Sequence, residues 1–350
     1  MSLINIIHQP YFIYIIDYLN ILSINKLSFC CRSLHDQDLS LHVSTIKSRC
    51  GNREKKTLPL YKYINYICKT SKDIFCQDIL VSDIHKGMEW SKHNTILYLI
   101  SERLLEIHLN TFSNILQYNT TLTNLYLCHN EIDDTGAIIL SKAIKYNTTL
   151  NVLNISNNLI GDVGTISLAD ALKKNRTLIR LVLSCNKIGS IGGTAIANAL
   201  EYNTKIKSLV LSQNQIGNDS AKVFGKMLEK NTTLSKLNLH YNNISSEGAI
   251  ELSRGLEKNI GLTVLQLSSN NIGIDGAYAL AHTLIYNTTL VKMNICYNKL
   301  CTKGTKAIVK ALQYNDTLEI LIVSFNNVDI RDKELIEQIK EKNVKMQVIW

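Results

Sequence analysis

The sequence lacks the features that identify membrane proteins and the commonest enzyme families. No uninterrupted apolar run reaches the roughly 18 residues of a transmembrane helix. The apolar start of the chain has no basic segment before it and is interrupted by His8, Pro10 and Asp17, unlike a signal peptide. No Walker-type phosphate loop and no G-x-G-x-x-G, H-E-x-x-H or G-x-S-x-G motif occurs. We therefore expect a soluble protein that is not an enzyme and needs no cofactor.

The nine cysteines are odd in number and form no C-x-x-C pair. No His/Cys spacing suits zinc, so no metal site is expected. Unpaired thiols in a long chain fit a reducing compartment, which predicts a cytoplasmic protein, in the host cytoplasm if the chain is viral or bacterial. The formal charge is +9, but the basic residues are scattered. This distribution favours a solvated basic surface, and no nucleic-acid or membrane partner is expected.

What the sequence does contain is an internal repeat. The motif Leu-x-x-Leu-x-Leu-x-x-Asn recurs at a constant step of 28 residues, with its first position at Leu122, Leu150, Leu178, Ile206, Leu234, Leu262, Leu290 and Leu318. In each unit a short alternating strand is followed by a turn and then by apolar residues at helical spacing. One such unit cannot bury its own apolar face, so the period predicts a solenoid of stacked units.

The motif resembles the leucine-rich repeat, and the strand–helix unit is similar to the ribonuclease-inhibitor-like subclass. This resemblance implies an α/β solenoid, a horseshoe of about eight units with a parallel sheet on its concave side and helices on its convex side. It covers residues 94–350, with 94–117 as a degenerate first unit and regular units from residue 118. The charged last helix, from Asp332, has the character of a solvent-facing cap.

The resemblance also implies that a protein partner binds the concave face through motif positions three, five, seven and eight. The residues expected to contact it are Tyr126, His129, Arg180, Lys236, His240, Tyr241, Lys292 and Tyr297. The last five of these mix cations with aromatic rings, a composition favoured at binding hot spots. The alternative is a polar, solvated sheet face, since single aromatic residues on a surface are common. Ile320, Ile322 and Phe325 form an apolar end that could instead pack under a terminal cap.

Residues 1–50 resemble an F-box. An amphipathic helix opens after Pro10, ends in Tyr18-Leu19, and is followed by a Leu-Ser-x-x-Cys-Arg stretch, although Gln9 and Tyr11-Phe12 depart from the usual residues. The resemblance implies that a Skp-type adaptor binds Pro10, Ile15, Ile16, Leu19, Leu27 and Cys31. The chain would then be a substrate receptor of a cullin-type, SCF-like ubiquitin ligase, with residues 51–93 as a helical linker or cap.

Two alternatives stay open. In the first, residues 1–93 only cap the solenoid, and the chain is an interaction scaffold without a role in ubiquitination. In the second, the chain is a GTPase-activating protein of the Ran type, because ribonuclease-inhibitor-like repeats also occur there. Arg180 would then be the candidate arginine finger.

The phrase Tyr-Asn-Thr-Thr-Leu recurs before the strands, for example at residues 118–122, and contains an N-glycosylation acceptor. The Asn is kept at Asn203 and Asn259, where the acceptor triplet is broken. We therefore attribute it to the fold and expect an unglycosylated protein. Since it follows each helix, we expect this junction Asn to adopt the left-handed conformation that ends helices.

Overall fold

The computed structural model describes residues 73–76, 95–100, 104, 106–326, 337 and 346–349. The F-box-like segment and its six expected adaptor contacts lie outside the described residues. So do most of the 51–93 segment and most of the last helix expected from the sequence.

The described strands form one open parallel sheet in which each strand pairs with its neighbours in chain order. They are β1 (Asp73–Cys76), β2 (Ile96–Leu99), β3 (Asn124–Tyr126), β4 (Val152–Asn154), β5 (Arg180–Val182), β6 (Ser208–Val210), β7 (Lys236–Asn238), β8 (Val264–Gln266), β9 (Lys292–Asn294), β10 (Ile320–Ile322) and β11 (Gln347–Ile349). From β2 to β10, each residue pairs with the residue 28 positions along, as Ile96 does with Asn124. The register of the sheet is therefore the period of the sequence.

A helix follows each strand from β2 to β9 among the described residues. The helices are α1 (Glu106–Tyr118), α2 (Asp134–Tyr146), α3 (Asp162–Lys174), α4 (Ser190–Tyr202), α5 (Gly217–Leu228), α6 (Ser246–Lys258), α7 (Gly273–Tyr286) and α8 (Cys301–Ala311). Consecutive helices pack against one another along the stack. The predicted α/β leucine-rich-repeat solenoid is thus confirmed for the described part of the chain.

The core lies between the sheet and the helices and is built from the repeated apolar positions. In the second regular unit, Leu153 and Ile155 are fully buried, as is Leu172 of α3. Small residues let neighbouring helices approach closely. At Gly255 in α6, an added Cβ would lie 2.0 Å from the carbonyl oxygen of Gly225 in α5. These two helices are therefore in backbone contact.

The motif Asn forms a ladder of hydrogen bonds between successive units. The Nδ2 of Asn158 donates to the carbonyl of Leu127, at 3.0 Å, in the preceding unit. Its Oδ1 accepts from the backbone N–H groups of Asn130 and Ile132, at 2.9 and 3.0 Å. This side chain satisfies backbone groups where the chain turns away from the sheet, which buried polar groups require.

The expectation that the junction Asn is left-handed is wrong. Asn147 has φ −63° and ψ 135°, an extended conformation. Its side chain is buried, and its Nδ2 donates to the carbonyls of Leu116 and Asn119, at 2.7 and 3.2 Å. Its Oδ1 accepts from the N–H groups of Thr149 and Leu150. The Asn therefore joins the end of α1, the helix before the one that it follows, to the start of β4, and this bridging needs no left-handed backbone.

Both ends of the sheet differ from the sequence expectation. Residues 73–76 lie in the segment expected to be helical, but they form β1, which pairs with β2. At the other end, Ile320 of β10 pairs with Gln347 of β11, a step of 27 residues. Each added strand covers a sheet edge that would otherwise expose unpaired backbone groups.

Candidate functional site

The strand face is the surface of the sheet that points away from the helices. It is formed by the first and third residues of each strand, together with motif positions seven and eight. In β7, Leu237 is fully buried in the core, whereas Lys236 is exposed and Asn238 is half-buried. This alternation follows from the pleat of a strand, which points successive side chains to opposite faces. All eight residues expected to contact a partner occupy this strand face.

Motif position eight has a left-handed backbone in each regular unit. The residues there are His129, Asn157, Cys185, Gln213, Tyr241, Ser269, Tyr297 and Phe325, with φ between 52° and 58°. From His129 to Tyr297, the N–H of each donates to the next unit, as Tyr241 does to the carbonyl of Ser268 at 2.9 Å. Asn tolerates this conformation, but large side chains disfavour it. An aromatic residue here is therefore not explained by the backbone.

Burial does not explain these aromatic residues either. Tyr241, Tyr297 and Phe325 are 53%, 51% and 67% exposed. The rings of Tyr297 and Phe325 stack at 4.1 Å between centroids, with 14° between their planes. We call these three residues the aromatic rim. Phe325 was not among the expected contact residues, although its position in the repeat equals that of Tyr241 and Tyr297.

The cations of the strand face lie in a single row. Arg180, Lys236 and Lys292 are the first residues of β5, β7 and β9, and Ser208 and Val264 separate them. We call the three charged residues the cation row. Burial, and next the charge of Lys236, lower the pKa of Lys292. None of the ion pairs among the described residues involves the cation row.

Burial disfavours the charged form of the two histidines of the strand face. Burial lowers the pKa of His240 and also that of His129. The Nδ1 of His240 lies 3.0 Å from the carbonyl oxygen of Ser268 and 2.8 Å from its Oγ. Because a carbonyl oxygen only accepts, the proton of the ring is on Nδ1. His240 therefore contributes a polar ring to the strand face, and burial disfavours a charge on it.

The structure brings together only part of the expected set. Lys236, His240, Tyr241, Lys292 and Tyr297 lie on β7 and β9 and on the turns after them. The other three are nearer the first strands. Tyr126 stacks on Tyr98 at 4.5 Å, His129 follows it, and Arg180 begins β5.

The described residues contain no group of three or more His, Cys, Asp or Glu arranged to hold a metal ion. None of the described helices is long and apolar enough to cross a membrane. Among the residues that the structure describes, Cys128, Cys185, Cys296 and Cys301 form no disulfide bond.

Comparison with known proteins gives a family for the repeats. The model described as Leucine Rich repeat matches residues 118–141, 146–169, 174–197, 202–225, 230–253 and 258–281. Two solved structures are similar at low identity. The leiomodin-1 actin-binding site 2 is 21% identical, covers 52% of this chain and 92% of its own, and has a TM-score of 0.34. The Caenorhabditis elegans tropomodulin C-terminal domain is 18% identical, covers 43% of this chain and 91% of its own, and has a TM-score of 0.37.

No curated protein matches the sequence. The matched repeats and the described solenoid nevertheless agree unit by unit, because each matched segment contains one of the strands β3 to β8 and most of the helix that follows it. The repeats between residues 118 and 281 are thus of the leucine-rich-repeat type.

Proposed function

We propose that this chain is a non-catalytic binding protein whose strand face holds a protein partner. The observation that carries the proposal is the aromatic rim. Tyr241, Tyr297 and Phe325 are exposed and occupy a left-handed position that disfavours them. Neither the core nor the backbone accounts for their side chains, whereas aromatic anchors are enriched where proteins bind one another.

The size of the strand face suits a protein partner. From β3 to β10 it is about 35 Å wide at about 4.8 Å per strand, and from motif position three to eight it is about 15 Å long. The side chains that project from this area increase its accessible surface. The total approaches the roughly 800 Å² that each partner buries in a standard interface. A small metabolite would instead need an enclosed pocket.

Site-specific photo-crosslinking tests the proposal. A photoreactive phenylalanine analogue at Val264 would lie on the strand face, and the same residue at Val163 would lie on exposed surface of α3. In a lysate of the cells that express the chain, we expect a discrete protein adduct from the Val264 position only. The same adducts from both positions, or none from Val264, would contradict strand-face binding.

A second candidate function rests on the F-box-like segment. Its order of a proline, an aliphatic helix ending in Tyr18-Leu19 and a Leu-Ser-x-x-Cys-Arg stretch resembles the surface that binds a Skp-type adaptor. With the strand face holding a target, the chain would be the substrate receptor of an SCF-like ubiquitin ligase. An amphipathic helix packing into a groove of the adaptor would make the contact.

Co-purification separates this candidate from a plain scaffold. We expect the full chain to retain a Skp-type adaptor, and Leu19→Asp or Ile15→Asp to lose it. Leu159→Asp is the matched control, because Leu159 is 42% exposed in a turn of the solenoid. Equal traces of adaptor with the wild type and with Leu19→Asp would exclude the ligase role and leave strand-face binding intact.

A further inference from the structure

The charges of the described repeats are segregated by face. None of the strand-face positions from Asn124 to Phe325 is Asp or Glu. On the helix side, by contrast, acidic residues pair with lysines of the next unit, as Glu201 does with Lys230 and Glu229 with Lys258. The strand face is therefore positive without internal compensation, which favours an anionic partner.

The cation row has a regular spacing. Arg180, Lys236 and Lys292 stand on alternate strands, so neighbouring cations are about 10 Å apart at about 4.8 Å per strand. The row is about 20 Å long. An α-helix rises about 1.5 Å per residue, so residues i, i+7 and i+14 recur on one face about 10.5 Å apart and span about 21 Å. A helix with carboxylates at that interval matches the row.

A helix also matches the space beside the row. The aromatic rim lies about 15 Å from the cation row along the strand direction, since Tyr241 is five positions after Lys236. The floor between them holds short side chains that are half-buried or buried, such as Asn238, Ser268 and Asn294. An α-helix with side chains is about 10–12 Å across, so one helix fits between the row and the rim.

We propose that the strand face binds an acidic α-helix of a partner protein, with carboxylates two turns apart on the cation row and apolar side chains against the aromatic rim. This inference rests on the proposed protein-binding function and names the partner's chemistry. Lys292 is half-buried near the charge of Lys236 and has no ion pair among the described residues, which is costly. A carboxylate of the partner helix would relieve this cost. Nucleic acid fits less well, because a single row of three cations does not form a continuous basic groove for a phosphate backbone.

Fluorescence anisotropy with synthetic probes tests this proposal on the full chain. The first probe is a labelled 21-residue Ala/Gln-rich helix with Glu at positions 4, 11 and 18 and Leu on the adjoining stripe. The second has Gln at those three positions, and the third has the same three Glu at positions 4, 5 and 6. The fourth is a labelled 21-nucleotide oligo(dT). We expect the first to bind at least tenfold more tightly than each of the others.

Matched variants then locate the binding surface. Lys236→Glu/Lys292→Glu is expected to weaken the first probe at least tenfold. Lys174→Glu/Lys226→Glu, the same charge change on exposed helix positions, is expected to change it less than twofold. Tyr297→Ala/Phe325→Ala is expected to weaken it at least threefold. Circular dichroism checks that each variant is folded. If Lys236→Glu/Lys292→Glu does not fold, Lys236→Gln/Lys292→Gln takes its place.

Three results would overturn the acidic helix. They are equal losses from both charge-reversal variants, equal binding of the first and third probes, and tighter binding of oligo(dT) than of the first probe. The crosslinking experiment is independent of these outcomes. If the Val264 position captures a partner while the acidic probe fails, the strand face binds protein and only its proposed chemistry is wrong.

Discussion

Replacing Asn231 by alanine measures how much a junction Asn contributes to the solenoid. This residue is 5% exposed, and its Nδ2 donates to the carbonyls of Leu200 and Asn203, at 2.6 and 3.1 Å. Its Oδ1 accepts from the N–H groups of Thr233 and Leu234, at 2.9 and 2.8 Å. Alanine would leave all four backbone groups without these partners.

The loss can be estimated from those four groups. A buried polar group left without a partner costs about 1–3 kcal/mol. Water entering the vacated space restores part of this, so we expect Asn231→Ala to lower the free energy of unfolding by about 3–4 kcal/mol. With an unfolding entropy of about 2.1 cal/mol/K per residue, a unit of about 250 residues would melt roughly 6–8 °C lower.

Urea unfolding followed by far-UV circular dichroism is the measurement. Thr232→Ala is the control, because Thr232 is exposed beside Asn231 in the same acceptor triplet, and a change below about 0.5 kcal/mol is expected there. Asn231→Asp keeps the acceptor and removes both donors, so it should also destabilise. If Asn231→Ala lies within about 1 kcal/mol of Thr232→Ala, the bridging role of the junction Asn is refuted.

Three further predictions follow from single features. Gly255→Ala should lower the thermal midpoint, because overpacking against α5 costs about 1–3 kcal/mol and outweighs the gain of about 1 kcal/mol in helix propensity. The control Lys222→Ala, on exposed surface, should leave the midpoint unchanged. An unchanged midpoint in Gly255→Ala would contradict the close contact between the helices. Burial lowers the pKa of His240 below 6.5, so the unfolded chain takes up its proton first and stability falls as the pH drops from about 6.5. The urea midpoint should therefore change less between pH 7.5 and pH 5.5 in His240→Gln than in the wild type. An equal change in both proteins would count against burial of this ring. In protein from its own cells, peptide mass mapping should find no glycan on Asn147, because its amide nitrogen is buried and donates two hydrogen bonds.

The parts of the fold that follow from the sequence are those that every unit shares. The 28-residue step predicts the register because each strand must bury its middle residue, as Leu237 is buried in β7. The error at Asn147 has a physical reason. An Asn that ends a helix and an Asn that bridges units both follow a helix, and only contacts with residues 28 and 31 positions earlier distinguish them. Strand β1 was missed because it pairs with β2 at a step of 23 residues.

The candidate site was partly predictable. The leucine-rich-repeat resemblance selected Lys236, Tyr241, Lys292 and Tyr297 by position alone, and the structure places them on one face. The exposure of Phe325 and the absence of carboxylates around the cation row became interpretable only with the sheet and its register known. The adaptor contacts expected in residues 1–50 stay predictions from the sequence.

Motif position eight separates the demands of the fold from those of function. The backbone there has the same left-handed φ, 52–58°, in each regular unit, but of the eight residues only His129 and Asn157 are of types enriched in this conformation. A left-handed residue other than Gly or Asn costs roughly 1–2 kcal/mol. The seven units other than that of Asn157 carry a different residue there, so the fold tolerates this cost. Under the proposed binding function, Tyr241 offsets the cost through contacts of its side chain with the partner. Tyr241→Asn should stabilise the fold by about 0.5–1 kcal/mol in urea unfolding and weaken the acidic helical probe, and Asn157→Tyr should destabilise it by a similar amount. A loss of stability in Tyr241→Asn would show that the tyrosine serves the fold and would remove it from the binding surface.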